Sequence, residues 1–350
     1  MAPWIPRLHL FEIADQSWFP PFLRAYVQTG LTHAWTTCVP VLQSCSPAAL
    51  AAHILRRELG GDPGVRRYTY IDFCAGAGGP TPEIERVLNR QLSIASTSSD
   101  NNNNRPSYAE VANPSSSSPL SASPSSSPTL PPQNFNERNE AAAAVKFILT
   151  DLHPHVESWE TAARQSPHLT YVSEPVDAAA APADLLERNK KAGALGGVPG
   201  GAGRGIMRLF NLAFHHFDDK LARAILKDTV ETSDGFVIFE LQSRNISSFV
   251  SCTLFGVFIL LIAPLLYWWS PQILFFVYVV PIVPFVLVFD GYVSSLRTRT
   301  PDEVELLLRT CGAKDTSDWV VRSGSETFLW PCGHLMWIMC VKEEGEKKKV

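Results

Sequence analysis

The stretch Tyr70-Ile71-Asp72-Phe73-Cys74-Ala75-Gly76-Ala77-Gly78-Gly79-Pro80 decides how the rest of the chain is read. Tyr68, Tyr70, Ile71 and Phe73 are β-favouring residues close together, so the stretch opens as a strand. Three glycines in four residues follow at 76–79. Pro80 and Pro82 are tolerated in a first helical turn, and Glu83 to Asn89 continues as helix. Strand, glycine turn and helix together let backbone approach a nucleotide-like ligand closely.

The rest of the composition sets the frame for that turn. With 350 residues, 45% of them hydrophobic, the chain can bury one large domain with additions. A net charge of −4 gives no basic face, which excludes a general nucleic-acid binder. The seven cysteines are scattered, odd in number and form no CxxC pair, so they read as free thiols in a reducing compartment. Cys332-Gly333-His334 offers two ligand types without partners, and no metal is expected there or elsewhere. The N-terminus lacks a basic region followed by a long apolar core, so no secretory signal is read. Nothing in the residues sets an oligomeric state.

Upstream of the turn, residues 1–62 are aromatic-rich and read as a helical lid or cap. Two short helices are expected around Pro20-Pro21, one ending before the prolines and one from Phe22 to Thr36, with a third over 46–60. Glu12 and Asp15 are three residues apart, hence on one helix face, and with Trp18 they are candidate substrate contacts.

Downstream, residues 93–140 are Ser, Pro and Asn, including four asparagines at 101–104, and read as a disordered insertion. A second strand, Val145 to Asp151, ends in an acid. A helix from His155 to Arg164 and a third strand, Leu169 to Val172, lead to Asp177-Ala178. Residues 190–205 read as a flexible Gly/Ala-rich loop. A fourth strand, Ile206 to Leu212, runs into Phe214-His215-His216-Phe217. Asp218-Asp219 caps a helix to Thr232, and the fifth strand, Phe236 to Glu240, again ends in an acid. This alternation implies an α/β fold, a doubly wound and mostly parallel sheet with both faces covered. Thr300-Pro301-Asp302-Glu303 opens a helix to Cys311-Gly312. Trp319–Arg322 and Leu335–Val341 then form an antiparallel pair, making seven strands. The sheet domain therefore covers 63–247 and 291–342, and 343–350 is a charged tail.

No charged residue occurs between Arg244 and Asp290. As helix, 249–289 would extend ~60 Å, about two crossings of a ~30 Å hydrocarbon core. Tyr267-Trp268-Trp269-Ser270-Pro271 in its middle suits the far interface of a hairpin. Arg244 on one flank and Arg297 and Arg299 on the other would keep both ends cytosolic. The 248–290 segment is therefore expected to be an apolar helical hairpin in contact with a membrane. The alternative is a cap packed on a cytoplasmic domain and lining an apolar pocket, which Pro264, Pro281 and Pro284 favour.

The glycine turn admits two nucleotide readings. A dinucleotide site wants G-x-G-x-x-G, and here Thr81 stands at the third position. The acid at the strand end, Asp72, suits instead a ligand bearing an amine. Asp72-x-Cys74-x-Gly76-x-Gly78-Gly79 resembles the first motif of class I S-adenosylmethionine-dependent methyltransferases, a Rossmann-like family. The later acids, the fourth strand end and the final reversed strand fall in that family's order, and the whole is similar to a poorly characterised methyltransferase-like group.

The resemblance implies S-adenosyl-L-methionine as cofactor and a small-molecule or lipidic acceptor. Its backbone cradle would be Cys74, Ala75, Gly76, Ala77, Gly78 and Gly79. Asp72 would hold the amino group, Asp151 with Leu152 the ribose, and Asp177 with Ala178 the adenine. Asn211 and Ala213 would border the methyl group. His215 or His216 is the candidate base, an imidazole titrating near neutrality, with Phe214 and Glu240 facing the acceptor beside Glu12, Asp15 and Trp18. A catalytically inactive scaffold of the same fold is the rival reading.

Overall fold

The computed structural model describes residues 5–103, 144–194 and 204–343. The expected insertion beyond residue 103, most of the Gly/Ala-rich loop and nearly all of the charged tail lie outside the described residues. Asn89–Ala144 forms a unit of its own, and the larger unit is Met1–Leu88 with Val145–Val350.

In chain order the main elements are α1 (Pro21–Thr36), α2 (Pro47–Glu58), β1 (Tyr68–Phe73), α3 (Thr81–Asn103), β2 (Phe147–Thr150), α4 (Val156–Ala163) and β3 (Leu169–Tyr171). They continue with α5 (Ala183–Ala194), β4 (Gly205–Asn211), α6 (Asp219–Thr232), β5 (Gly235–Glu240), α7 (Ile246–Leu266), α8 (Ile282–Arg297), α9 (Pro301–Arg309), β6 (Trp319–Leu329) and β7 (Gly333–Lys342). The seven strands form one sheet in the order β3-β2-β1-β4-β5-β7-β6. β1 to β5 are parallel, and β7 enters antiparallel to β5 and β6. The sheet is thus mixed, as the antiparallel final pair anticipates.

Side chains alternate across the sheet. Ile71, Phe73, Ile206, Phe210, Phe236 and Ile338 face one core, shared with apolar residues of α5, α6 and α9. The residues between them, such as Tyr70, Met207, Leu209, Val237 and Met339, are equally buried, so the second face is covered too. One charge sits inside the first core. The Arg208 guanidinium lies 4.5 Å over the Phe73 ring. It donates to Ser233 Oγ (2.7 Å), the Ala178 carbonyl (3.1 Å), Asp228 Oδ2 (2.5 Å) and Thr232 Oγ1 (2.6 Å).

The helix starts obey their caps. Thr300 and Glu303 form a reciprocal capping box at α9, and Asp218 accepts from the Leu221 N–H at α6. Three expectations need correction. Among the described residues no helix precedes Pro20; residues 6–12 have no regular structure, and turns and bends follow over 13–19. The N–H groups of Ile13 and Ala14 go to the Asp290 carboxylate (2.7 and 2.9 Å), and Arg24 takes the carbonyls of Ala14 (2.7 Å) and Gln16 (2.8 Å). Those partners replace a helical ladder, so Glu12 and Asp15 share a turn rather than a helix face. α3 runs to Asn103, past the expected break at Ser93, because extending a formed helix costs little even for Ser and Asn. Ala183–Ala194, most of which carried no element in the sequence reading and whose end was read as loop, is helical.

The apolar segment folds back on itself with two unequal arms. α7 has 21 residues and is long and apolar enough to cross a membrane, with 11% of its apolar window buried. The returning arm is broken: Pro271–Val279 and α8 meet at 63°. α8 is largely buried, packed with α1 in a second apolar cluster that includes Phe19, Leu23, Val27, Val283, Val286 and Leu287. His33 Nε2 is 2.8 Å from the Tyr267 hydroxyl, near the hairpin tip. The flanking arginines are buried. Arg244 pairs with Glu303 (2.6 Å), Arg297 with Glu12 (3.0 Å) and Arg299 with Asp219 (2.8 Å). Each flanking charge is thus matched by a carboxylate, of which Glu12 is buried, Glu303 partly exposed and Asp219 exposed.

α7 meets α8 through small residues. A Cβ on Gly256 would lie 2.3 Å from Val288 Cγ2. Gly256→Val is expected to destabilise the α7–α8 contact by about 1–3 kcal/mol. Limited proteolysis between Tyr267 and Val280 should quicken in the variant while the sheet keeps its thermal transition; an unchanged cleavage rate would contradict the packing.

Candidate active site at the strand ends

The carboxyl ends of β1, β4 and β5 carry two polar groups of residues, one at the glycine turn and one at the histidine pair. After Phe73 the backbone enters the left-handed region at Cys74 (φ 70), Gly76 (φ 52), Gly78 (φ 110) and Gly79 (φ 50). Three of these are glycines, for which the conformation is free; Cys74 carries strain of about 1–2 kcal/mol. Trp159 Nε1 donates to the Gly76 carbonyl (2.8 Å), and the space where a Cβ of Gly76 would point is open. Ala75 is buried, its N–H bonded to the Thr150 carbonyl (3.0 Å).

Asp72 is buried beneath this turn. Its Oδ2 accepts a short hydrogen bond from Thr81 Oγ1 and one from Asn211 Nδ2 (3.2 Å). Asn211 Nδ2 also donates to Thr81 Oγ1 (2.9 Å). Thr81, the residue that breaks the dinucleotide pattern, is therefore a working member of the network. Asp72 Oδ1 and Asn211 Oδ1 are buried without any donor. Burial raises the Asp72 carboxyl to about 7, against the pull of its two donors and with a contribution from the Asp151 charge. Burial likewise pushes the Cys74 thiol up, so it is no nucleophile at neutral pH.

Asp151 stands just past β2, half-buried, with Oδ2 accepting from the Gly76 N–H (2.8 Å) and Oδ1 from the His153 N–H (2.8 Å). Leu152 is 52% exposed, an apolar side chain beside a polar turn. Asp177 is exposed and caps its own turn through the Ala179 N–H (2.8 Å). Ala178 faces the core instead, with its carbonyl taken by Arg208. Ala213 is buried and Phe214 packs among Phe210 and Phe217, so neither is open to a ligand.

Four residues beyond Asn211 lies the second group. Glu240 Oε2 is 2.8 Å from His215 Nδ1, and Asp15 Oδ2 is 3.0 Å from His216 Nδ1. A carboxylate only accepts, so each Nδ1 carries a hydrogen and each Nε2 is turned elsewhere. Both Nε2 atoms face Glu12, at 3.6 Å from Oε1 for His215 and 3.9 Å from Oε2 for His216. Glu12 Oε1 also accepts from Ser294 Oγ (2.9 Å) and Arg297 Nη1 (3.0 Å). Arg299 fixes the turn from below, donating to the carbonyls of Phe214 (3.1 Å) and Phe217 (2.7 Å). Burial works to lower the His216 pKa, but its hydrogen bond to Asp15 and the charges of Glu12 and Asp15 outweigh it and the net shift is upward. Burial works to raise Asp15, and the His216 hydrogen bond and charge, with Arg297, outweigh it downward.

Comparison with known proteins adds little to this geometry. No family model matches the chain. No curated protein matches it either. Among solved structures it is similar to cofactor-bound Rv0187 from MTB, at 9% identity and a TM-score of 0.32 over 94% of each chain. It is also similar to a putative Zn-dependent alcohol dehydrogenase from Rhodobacter sphaeroides, at 10% identity and a TM-score of 0.29 over 60% of this chain and 81% of that one.

Of the residues singled out from sequence, Glu12, Asp15, His215, His216 and Glu240 come together, and Asp72 and Asn211 come together with Thr81. Trp18 joins neither group; it is 66% exposed, with its ring against the edge of Phe19. Sequence reasoning missed Thr81, Arg297 and Ser294 as members. Thr81 carried a signal, as a hydroxyl at a helix start behind a glycine turn; Ser294 carried none. A cleft of about 230 Å³ lined by His9, Phe11, Glu12, Asp15, Gln16 and Arg297 reaches the carboxylates that face the histidine pair. A separate void of about 10 Å³ beside His215 and Glu240 has room for one water.

Proposed function

We propose that this protein binds S-adenosyl-L-methionine at the glycine turn and catalyses methyl transfer to a small-molecule or lipid-like acceptor. The observation that carries this reading is the pair of orphaned buried acceptors, Asp72 Oδ1 and Asn211 Oδ1, at an open glycine turn. Each unsatisfied acceptor costs about 1–3 kcal/mol, which a ligand ammonium with three donors would recover. The seven-stranded order with its single reversed partner supports the resemblance to class I methyltransferases. The cofactor, when bound, supplies a methyl group on a cationic sulfonium.

In this reading Asp72 and Asn211 receive the amino group. Asp151 has lone pairs beyond those used by Gly76 and His153, and it accepts the ribose hydroxyls. Leu152 offers an apolar face to the adenine, and Asp177 accepts from its amine. The backbone of Cys74 to Gly79 lies against the methionine part. Glu12 and Asp15, which line the cleft, with the adjoining His215–His216 pair align the acceptor.

The outer face of α7 is proposed to enter a lipid surface. Leu261 and Leu265 are each 71% exposed there, and Trp268 and Trp269 follow at the hairpin tip. α1, carrying Arg24 and His33, runs beside the hairpin to that tip, which fits an interfacial contact with one face in lipid. Leu261→Glu with Leu265→Glu is expected to release the protein from phosphatidylcholine vesicles in a sedimentation assay. If the wild-type protein stays wholly in the supernatant, the lipid contact is wrong.

The rival reading is a non-catalytic scaffold, favoured by one observation: both Asp151 oxygens already serve the protein's own backbone. A labelled-methyl assay on a metabolite and lipid extract separates them. Cofactor binding without label transfer supports the scaffold.

A further inference from the structure

We infer that Glu12, His215 and His216 form a binding site for a first-row divalent transition ion of the Zn²⁺ class, with an open coordination position toward the cleft. One ligand atom from each of the three residues lies within 4.8 Å of the others. Two nitrogens and an oxygen around a tetrahedral ion, each about 2.0–2.2 Å from it, stand roughly 3.4 Å apart. The contacts of 3.6 Å (His215 Nε2 to Oε1) and 3.9 Å (His216 Nε2 to Oε2) go to different oxygens of Glu12; with one oxygen shared, the three ligand atoms lie within 4.8 Å of one another and close by about 1 Å on binding.

The surroundings are those of a metal site rather than of a plain ion pair. Each histidine has its Nδ1 on a carboxylate, Glu240 for His215 and Asp15 for His216. That arrangement fixes the tautomer and leaves both Nε2 lone pairs on the Glu12 side, the pattern of carboxylate–histidine–metal triads. Ser294 and Arg297 hold Glu12 Oε1 and leave Oε2 for the ion. Arg297 opposes a cation, but Glu12, Asp15, Glu240 and nearby Asp290 together outnumber it, and the local charge stays negative with neutral imidazoles. Nitrogen and carboxylate ligands suit Zn²⁺, Co²⁺ or Mn²⁺ better than Mg²⁺ or Ca²⁺. Three protein ligands leave a position for water or an acceptor oxygen, on the side where the cleft reaches Glu12 and Asp15.

The site does not rest on the methyl-transfer reading, and the two can fail separately. The test uses the full chain stripped with a chelator and titrated calorimetrically with Zn²⁺, then Co²⁺ as a spectroscopic probe. One equivalent is expected, with Co²⁺ giving the visible bands of a low-coordinate N/O site. X-ray absorption of the wild-type Zn²⁺ adduct should show two imidazoles and no sulfur. Glu12→Gln and His216→Gln should each weaken binding by roughly 100-fold or more, Asp15→Asn by about 10–100-fold, and His334→Gln not at all. Because the wild-type spectra need no variant to fold, they stand alone. Absence of stoichiometric binding, sulfur ligation, or affinity unchanged in both Glu12→Gln and His216→Gln would overturn the site.

Discussion

Asp72→Asn is expected to move cofactor affinity and folding stability in opposite directions. The carboxyl is raised from an ordinary 3.8 to about 7 in the folded protein by burial. Between about pH 4 and pH 7 the native state therefore holds a proton that the unfolded chain has lost, so stability falls as pH rises across that window. Above pH 7 the whole cost of the buried charge is present, at most about 4 kcal/mol for a shift of this size. Asparagine keeps the shape and an acceptor for Thr81 but cannot ionise. The variant should match the wild type near pH 4 and be the more stable of the two at pH 8, in urea unfolding at both values. Cofactor binding should respond with the other sign. An ammonium favours the ionised carboxylate, so wild-type affinity rises with pH through about 7. The variant loses a charged hydrogen bond of about 3 kcal/mol, roughly 100-fold in affinity at pH 8. A variant that loses stability at pH 8 would show that Asp72 serves the fold and not a ligand.

Arg208→Ala is expected to have the largest effect on stability, a loss of about 3–5 kcal/mol. The guanidinium is fully buried and serves four acceptors, from the turn before α5 and from the end of α6. Removing it leaves Asp228 without its charge partner and opens a cavity over the Phe73 ring. Arg208→Met, which fills the space, should cost less than Arg208→Ala because it restores packing. Equal losses for the two substitutions in denaturant unfolding would mean that the charge network, not the packing, carries the whole term. A loss below about 1 kcal/mol for alanine would contradict the account of this core.

The positions of β1, β2 and β5 were legible because each couples a β-rich apolar run to a glycine or an acid at its end. The capping signals at Asp218 and Thr300 placed the starts of two helices to within a residue. What failed had a common cause: tertiary partners that no local pattern announces. The apolar spacing from Leu8 to Trp18 reads as helix, but Asp290, far along the chain, takes its backbone donors. Arg244, Arg297 and Arg299 bracket an uncharged run as lipid-facing flanks would, and the fold pairs each of them with a carboxylate, Glu303, Glu12 and Asp219. Glu12 and the histidine pair were each visible as polar groups near a strand end or in a lid. Their convergence depends on a contact between positions 12 and 215, which spacing cannot encode. Thr81 looked like a defect in a glycine motif and is instead a hydrogen-bond donor to Asp72.

The central claim is that the glycine turn still holds an amine-bearing nucleotide. Calorimetric titration of S-adenosyl-L-methionine into the full-length protein at pH 8 tests it most directly. One-to-one binding in the wild type, lost or weakened about 100-fold in Asp72→Asn, is the predicted result. No binding by the wild type at millimolar cofactor, or equal binding by the variant, would contradict it.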